Sequence, residues 1–257
     1  MGVKLSGIIF ATSLAVGVVL RVFMLLFTVN PVSGFIEHEY LTSAVLMIIF
    51  MIVAAALIFV SAYCGKIKNP LGRYMPLIGA IVNIVLAVAI FYEVFISKLL
   101  EYAAGMQKLM HMATGTLSVL ALLYMAVCYF TKTDYPKILS ALPILFWITR
   151  VITAFSEFAA LATVSDIIIE TAAMCLCLFV FMDNSKLLVG ISVKNKKITR
   201  AVAAICGYTC LVSSLPRIIC MIAKPSAFDY FANIPSFTTL AAAFFAVYVA
   251  LSIKIEE

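Results

Sequence analysis

From residue 41 to residue 63 the chain carries no charged side chain, and stretches of similar apolar character recur along its length. A run of about 20 apolar residues, rising 1.5 Å per residue in a helix, is long enough to cross a hydrocarbon layer of about 30 Å. Eight such segments can be drawn, near 5–29, 41–63, 75–97, 109–131, 138–160, 164–183, 201–223 and 236–254. A transmembrane β-barrel would show short alternating segments instead. The expected fold class is therefore an all-α integral membrane protein with eight transmembrane helices, and residues 1–257 are expected to form a single transmembrane domain. The composition agrees: 65% of residues are hydrophobic and 12% charged. No soluble fold of this length could hide so much apolar side chain.

Proline marks several segment edges. Pro76, Pro136 and Pro235 stand where helices are expected to begin, and Pro31 and Pro225 where they have ended. Pro143 and Pro216 fall inside segments, where a missing N–H bends a helix. The start MGVKLS matches a short N-myristoylation pattern, but the stretch up to residue 29 is too apolar and too long for a cleaved leader and reads as the first span.

Loop charges give an orientation, because cytoplasmic loops are enriched in Lys and Arg. One set of connections and the two ends carry twelve basic residues, and the opposite set carries three: Lys98, Lys108 and Lys224. Both termini are accordingly expected in the cytoplasm of a cell-membrane, multi-pass protein. The densest basic run holds Lys194, Lys196, Lys197 and Arg200. Its simplest role is a topological anchor at the membrane lipid, and its alternative is a docking site for a cytoplasmic or membrane partner.

Four charges in the odd-numbered segments share one local pattern, a charge followed by two bulky apolar residues: Arg21, Glu93, Arg150 and Arg217. Each is followed, 21 residues on, by a threonine that opens the next segment: Thr42, Thr114, Thr171 and Thr238. The shared offset suggests four helical hairpins from one unit, near 5–63, 75–131, 138–183 and 201–254, all in the same orientation. Equivalent positions should share an environment. The simplest packing points the four charges at a common interior, and the four threonines should then be similarly accessible from outside.

Three readings follow. The charges can be ion pairs that set hairpin packing, making the protein a membrane subunit, sensor or scaffold. The expected function is the second, with the first as its alternative: the charges line an outward-facing polar pocket that binds or helps transport a small anionic organic solute, since arginine presents a planar fork suited to carboxylate or phosphate. The residues for that pocket are Arg21, Glu93, Arg150, Arg217, Glu157, Glu170 and Tyr92. The third reading, an intramembrane lipid-modifying enzyme, rests only on Glu37, His38, Glu39 and His111. The sequence holds no HExxH or GxSxG, so no catalytic residues are assigned and a non-enzyme is expected. Seven cysteines without a CxxC pair give no zinc motif and no disulfide framework; no metal and no cofactor are expected. The net charge of +6 is explained by topology, so no nucleic-acid partner is expected.

Overall fold

A computed structural model describes residues 3–28, 40–65, 74–96, 105–131, 133–158, 165–191, 195–223 and 236–253. Eight α-helices account for almost all of them: α1 (Val3–Phe27), α2 (Leu41–Cys64), α3 (Met75–Phe95), α4 (Gly105–Thr131), α5 (Leu142–Phe158), α6 (Ser165–Val189), α7 (Lys196–Ala223) and α8 (Ser236–Ser252). No strand occurs among the described residues. Helices satisfy every backbone N–H and C=O within one segment, which an apolar solvent requires. Six helices, α1 to α4, α6 and α7, are long and apolar enough to cross a membrane.

The other two helices have 17 residues each. That gives about 25 Å of rise, slightly short of a bilayer's hydrocarbon core. Helix α5 is extended at its start by a 3₁₀ turn over Lys137–Ala141. Residues 138–158 of the expected span 138–160 are thus one chain path with two helical geometries. Pro143 sits at the second position of α5, where its missing N–H costs nothing, and so begins the helix instead of bending it. Pro216 does lie inside α7, which continues through it; Ser214 Oγ donates to the Cys210 carbonyl in the turn before.

Two boundaries differ from the sequence reading. Helix α6 runs on to Val189 because Asp183, Lys186 and Thr199 satisfy one another: Lys186 Nζ lies 3.0 Å from Asp183 Oδ1, and Thr199 Oγ1 donates to Asp183 Oδ2 at 2.9 Å. Helix α7 starts at Lys196, so the basic run expected in a loop is partly its first turn.

The helices pack in a closed order. Contacts run α3 to α4, α4 to α5, α5 to α6, α6 to α7, α7 to α8, and α8 back to α3. Six helices thus form a ring. The hairpin α1–α2 packs on the outside of it, against α7. Helix α7 touches α1, α2, α6 and α8 and is accordingly the most buried of the long helices. Close approach between α7 and α8 is set by small residues: a Cβ on Gly207 would lie 2.7 Å from Val247 Cγ2, with Ala243 facing it.

Polarity is inverted relative to a protein in water. Phe23, Leu46, Ile52, Val88, Leu120 and Phe244 are exposed, whereas Arg21, Glu93, His111, Arg150, Glu170, Arg200 and Arg217 are buried. An apolar exterior over a charged interior is the arrangement lipid favours.

The four charges that share the 21-residue offset are buried alike, at 0–2% exposure. Their threonine partners are not alike: Thr42 is exposed, Thr114 and Thr171 are half-buried, and Thr238 is fully buried. The reason is the ring. Helix α8 sits inside the bundle between α3 and α7, whereas α2 lies on its outside.

The α7–α8 contact gives a direct test. Gly207→Leu is expected to lower the thermal midpoint of the detergent-solubilised protein, at an overpacking cost of about 1–3 kcal/mol. Gly105→Ala, where a Cβ meets nothing within 4 Å, should leave the midpoint unchanged. Equal midpoints for both variants would refute the close approach.

Candidate functional site: a buried ion-pair chain

Each helix of the ring contributes at least one polar side chain to its interior. Glu93 comes from α3, His111 from α4, Arg150 from α5, Glu170 from α6, Ser213 and Arg217 from α7, and Thr239 from α8. Each of the four charged side chains is at most 5% exposed.

The charges alternate along a chain. Arg150 Nε lies 3.1 Å from Glu93 Oε1, and Arg150 Nη2 lies 3.3 Å from Glu170 Oε1. Arg217 Nη1 lies 3.1 Å from Glu170 Oε2. His111 Nε2 closes the Glu93 end at 3.4 Å from Oε1. Two arginines and two glutamates therefore balance. Desolvating a charge is costly, and the penalty is offset only where each charge finds a partner and further hydrogen bonds.

Glu170 is the best-served member. Oε1 accepts from Thr239 Oγ1 at 2.6 Å and from Arg150 Nη2; Oε2 accepts from Ser213 Oγ at 2.6 Å and from Arg217 Nη1. Four donors from three helices thus surround one carboxylate. Arg150 also donates to Thr239 Oγ1 at 3.2 Å, and its guanidinium lies 5.0 Å from the Trp147 ring centroid. The i, i+4 spacing of Ser213 and Arg217 puts both on one face of α7, which is why they reach the same oxygen.

The expected site residues separate into groups. Glu93, Arg150, Glu170 and Arg217 are brought together. Arg21 is wholly buried but sits on α1, outside the ring, where its Nη1 lies 3.7 Å from Met24 Sδ. Tyr92 is exposed and packs edge-on to Phe237, with ring centroids 5.6 Å apart. It is next to Glu93 in sequence, and a helix turns adjacent residues about 100° apart. The side chain of Glu157, like the segment with Glu37, His38 and Glu39, lies outside the described residues. His111 is sealed at 0% exposure beside Glu93, with its ring 5.2 Å from Phe146.

Ser213 and Thr239 were not expected in the site. Ser213 carries a usable signal, since it stands one turn before a buried arginine. Thr239 carries none, because its role depends on α8 crossing the ring.

The basic run also divides. Lys196 and Lys197 lie on the first turn of α7, and Lys197 Nζ is 5.9 Å from the Tyr63 ring centroid. Arg200 is buried and donates to the carbonyls of Ala62 and Gly65 at the end of α2. It caps that helix and is withdrawn from any exposed patch. Lys194 lies outside the described residues.

Three cysteines meet as well. Cys177 on α6 faces Cys206 and Cys210 on α7, with Sγ–Sγ separations of 3.6, 3.5 and 3.9 Å. Three soft sulfurs at one point suit a soft ion such as Cu(I). The same separations are those of packed sulfur atoms, and all three belong to the main apolar core, where cysteine behaves as a small apolar residue. No linear motif announces the cluster, because its members come from two helices.

No protein-family model, curated protein or solved structure matches this chain.

The geometry orders the effects of mutation. Glu170→Gln removes the carboxylate that faces both Arg150 and Arg217, leaving one positive charge of the chain unmatched, and is expected to cost about 3–5 kcal/mol in unfolding free energy. Glu93→Gln also unmatches one positive charge but removes a carboxylate that faces only Arg150, whose pairing to Glu170 remains, and should cost less. In a double-mutant cycle, Glu170→Gln with Arg217→Gln should be less damaging than the sum, by about 0.5–3 kcal/mol. Strict additivity in denaturant unfolding would mean that the two side chains are not coupled.

Proposed function

We propose that this chain is a multi-pass cell-membrane protein, with both termini cytoplasmic, whose intramembrane charges form a structural frame. It acts as a membrane subunit or scaffold held in one arrangement by the chain from His111 to Arg217. The observation that carries this reading is charge balance within the ion-pair chain: Arg150 and Arg217 each face a glutamate, and both glutamates are buried with them. The orientation is supported by the twelve-to-three distribution of basic residues. Lys196 and Lys197, at the start of α7, are the residues such a subunit would offer to a cytoplasmic partner.

A second reading, binding or transport of a small anionic organic solute, is favoured by one feature. The seat of Glu170, built from two guanidinium groups and two hydroxyls, is the donor set a solute carboxylate would require. In this reading Glu170 holds the seat in the resting state, and a solute enters only when Glu170 leaves. The four-hairpin repeat would make Arg21, Glu93, Arg150 and Arg217 equivalent positions; all four are buried, but Arg21 lies outside the ring and the four paired threonines differ in exposure.

Chemical rescue separates the two. Glu170→Ala opens a carboxylate-sized space between the arginines. Formate or acetate at millimolar levels should raise the thermal midpoint of this variant, and not that of the wild type. Native mass spectrometry of wild type taken from its membrane, beside Arg150→Gln and Arg217→Gln, then decides. An anionic small-molecule mass on the wild type that is lost from folded variants selects the solute reading. Variants that only lose stability, with no such mass on the wild type, select the frame.

A further inference from the structure

The ring's arginines have carboxylate partners, and Arg200 has none among the described residues. Its guanidinium is 1% exposed. Nε and Nη2 donate to the carbonyls of Ala62 and Gly65, which are neutral acceptors. Nη1 has no hydrogen-bond partner among the described residues. Capping α2 accounts for the first two nitrogens and for the attraction between a cation and a helix C-terminus. It does not account for the third, nor for a buried positive charge with no carboxylate against it among the described residues.

Beside this side chain is a cavity of about 190 Å³. Arg200 lines it together with Ser6 and Gly7 of α1, Ser61 of α2, and Val247 and Leu251 of α8. Four helix ends meet there, away from the ion-pair chain. The volume is several times the ~30 Å³ that one water occupies in the liquid. It admits a phosphate group, while the apolar walls and the exposed Leu5 and Ile8 of α1 provide a path for hydrocarbon. Lys196 and Lys197 stand within one turn on the same helix and raise the local positive potential.

We infer that this cavity is a binding site for a phosphate group bearing an apolar tail, with Arg200, which lines it, turning its unpartnered Nη1 to donate to the phosphate, and the phosphate supplying a counter-charge. The inference is independent of the reading of the Glu170 seat. A phospholipid headgroup and free phosphate share the recognising chemistry, and the apolar walls favour the lipid. In the orientation proposed above, the site opens to the cytoplasmic leaflet, where anionic lipids concentrate.

Two variants test it. Arg200→Gln removes the charge. Gly7→Leu places a side chain where a Cβ meets nothing within 4 Å, narrowing the cavity while leaving Arg200 and its carbonyls in place. It also replaces glycine by a better helix former, so folding is not at risk. The probes are dioleoylphosphatidylglycerol and inorganic phosphate, each added to the full-length protein in detergent. Native mass spectrometry reads bound lipid, and the thermal midpoint reads phosphate.

The expected result is a one-to-one lipid adduct on the wild type, weakened at least about tenfold in both variants, with no response to inorganic phosphate. If inorganic phosphate instead raises the wild-type midpoint and displaces the lipid, and does neither in the variants, the site stands with free phosphate as its source. Should Arg200→Gln fail to fold, Gly7→Leu decides alone. Folded variants that keep the adduct and the phosphate response of the wild type, or a wild type that takes neither probe, would overturn the inference.

Discussion

The carboxylate of Glu170 is the point on which the six-helix ring closes. It accepts from α5 through Arg150, from α7 through Ser213 and Arg217, and from α8 through Thr239. In water such a contact would be worth little. Among apolar helices it is decisive, since each donor that fails to meet its acceptor keeps a desolvation penalty. Apolar surfaces tolerate sliding; a buried carboxylate with four donors fixes rotation and register together.

The same logic explains the inverted exterior. Lipid offers no hydrophobic drive for helices to associate, so contact must come from small residues, close packing and polar pairs. Gly207 against Val247 supplies the first two between α7 and α8, and the ion-pair chain supplies the third across the ring. The hairpin α1–α2 is far less buried than α7. Its position outside the ring leaves Arg200 to tie the end of α2 to α7 through backbone carbonyls. Two kinds of arginine contact therefore hold two parts of one molecule: carboxylate pairs inside the ring, carbonyl capping at its edge.

Much of the fold was legible without coordinates. Unbroken apolar runs have one solution in lipid, a helix, so the segments near 41–63 and 75–97 correspond closely to α2 and α3. Boundaries failed where polar side chains prolong a helix: Asp183 and Lys186 carry α6 six residues past its expected end at 183. Of the site residues, Glu93, Arg150 and Arg217 stood out, with Arg21, because a charge in an apolar run is rare for a physical reason; Glu170 was named as a polar residue near their level. Tyr92 was included by proximity along the chain, which a helix converts into a different face.

The sequence by itself determined that this chain is helical, that its helices suit a membrane, and that charges such as Glu93, Arg150 and Arg217 turn inward, since each follows from local chemistry read against the cost of exposing the wrong group to the wrong solvent. Tertiary structure alone decided who meets whom. That Arg150 lies between two glutamates, that Thr239 bridges it to one of them, that three cysteines touch, and that Arg200 turns inward are consequences of ring closure. Pairing between helices distant in sequence depends on the order in which they pack, and a hydrophobic pattern, identical for every lipid-facing helix, does not encode that order.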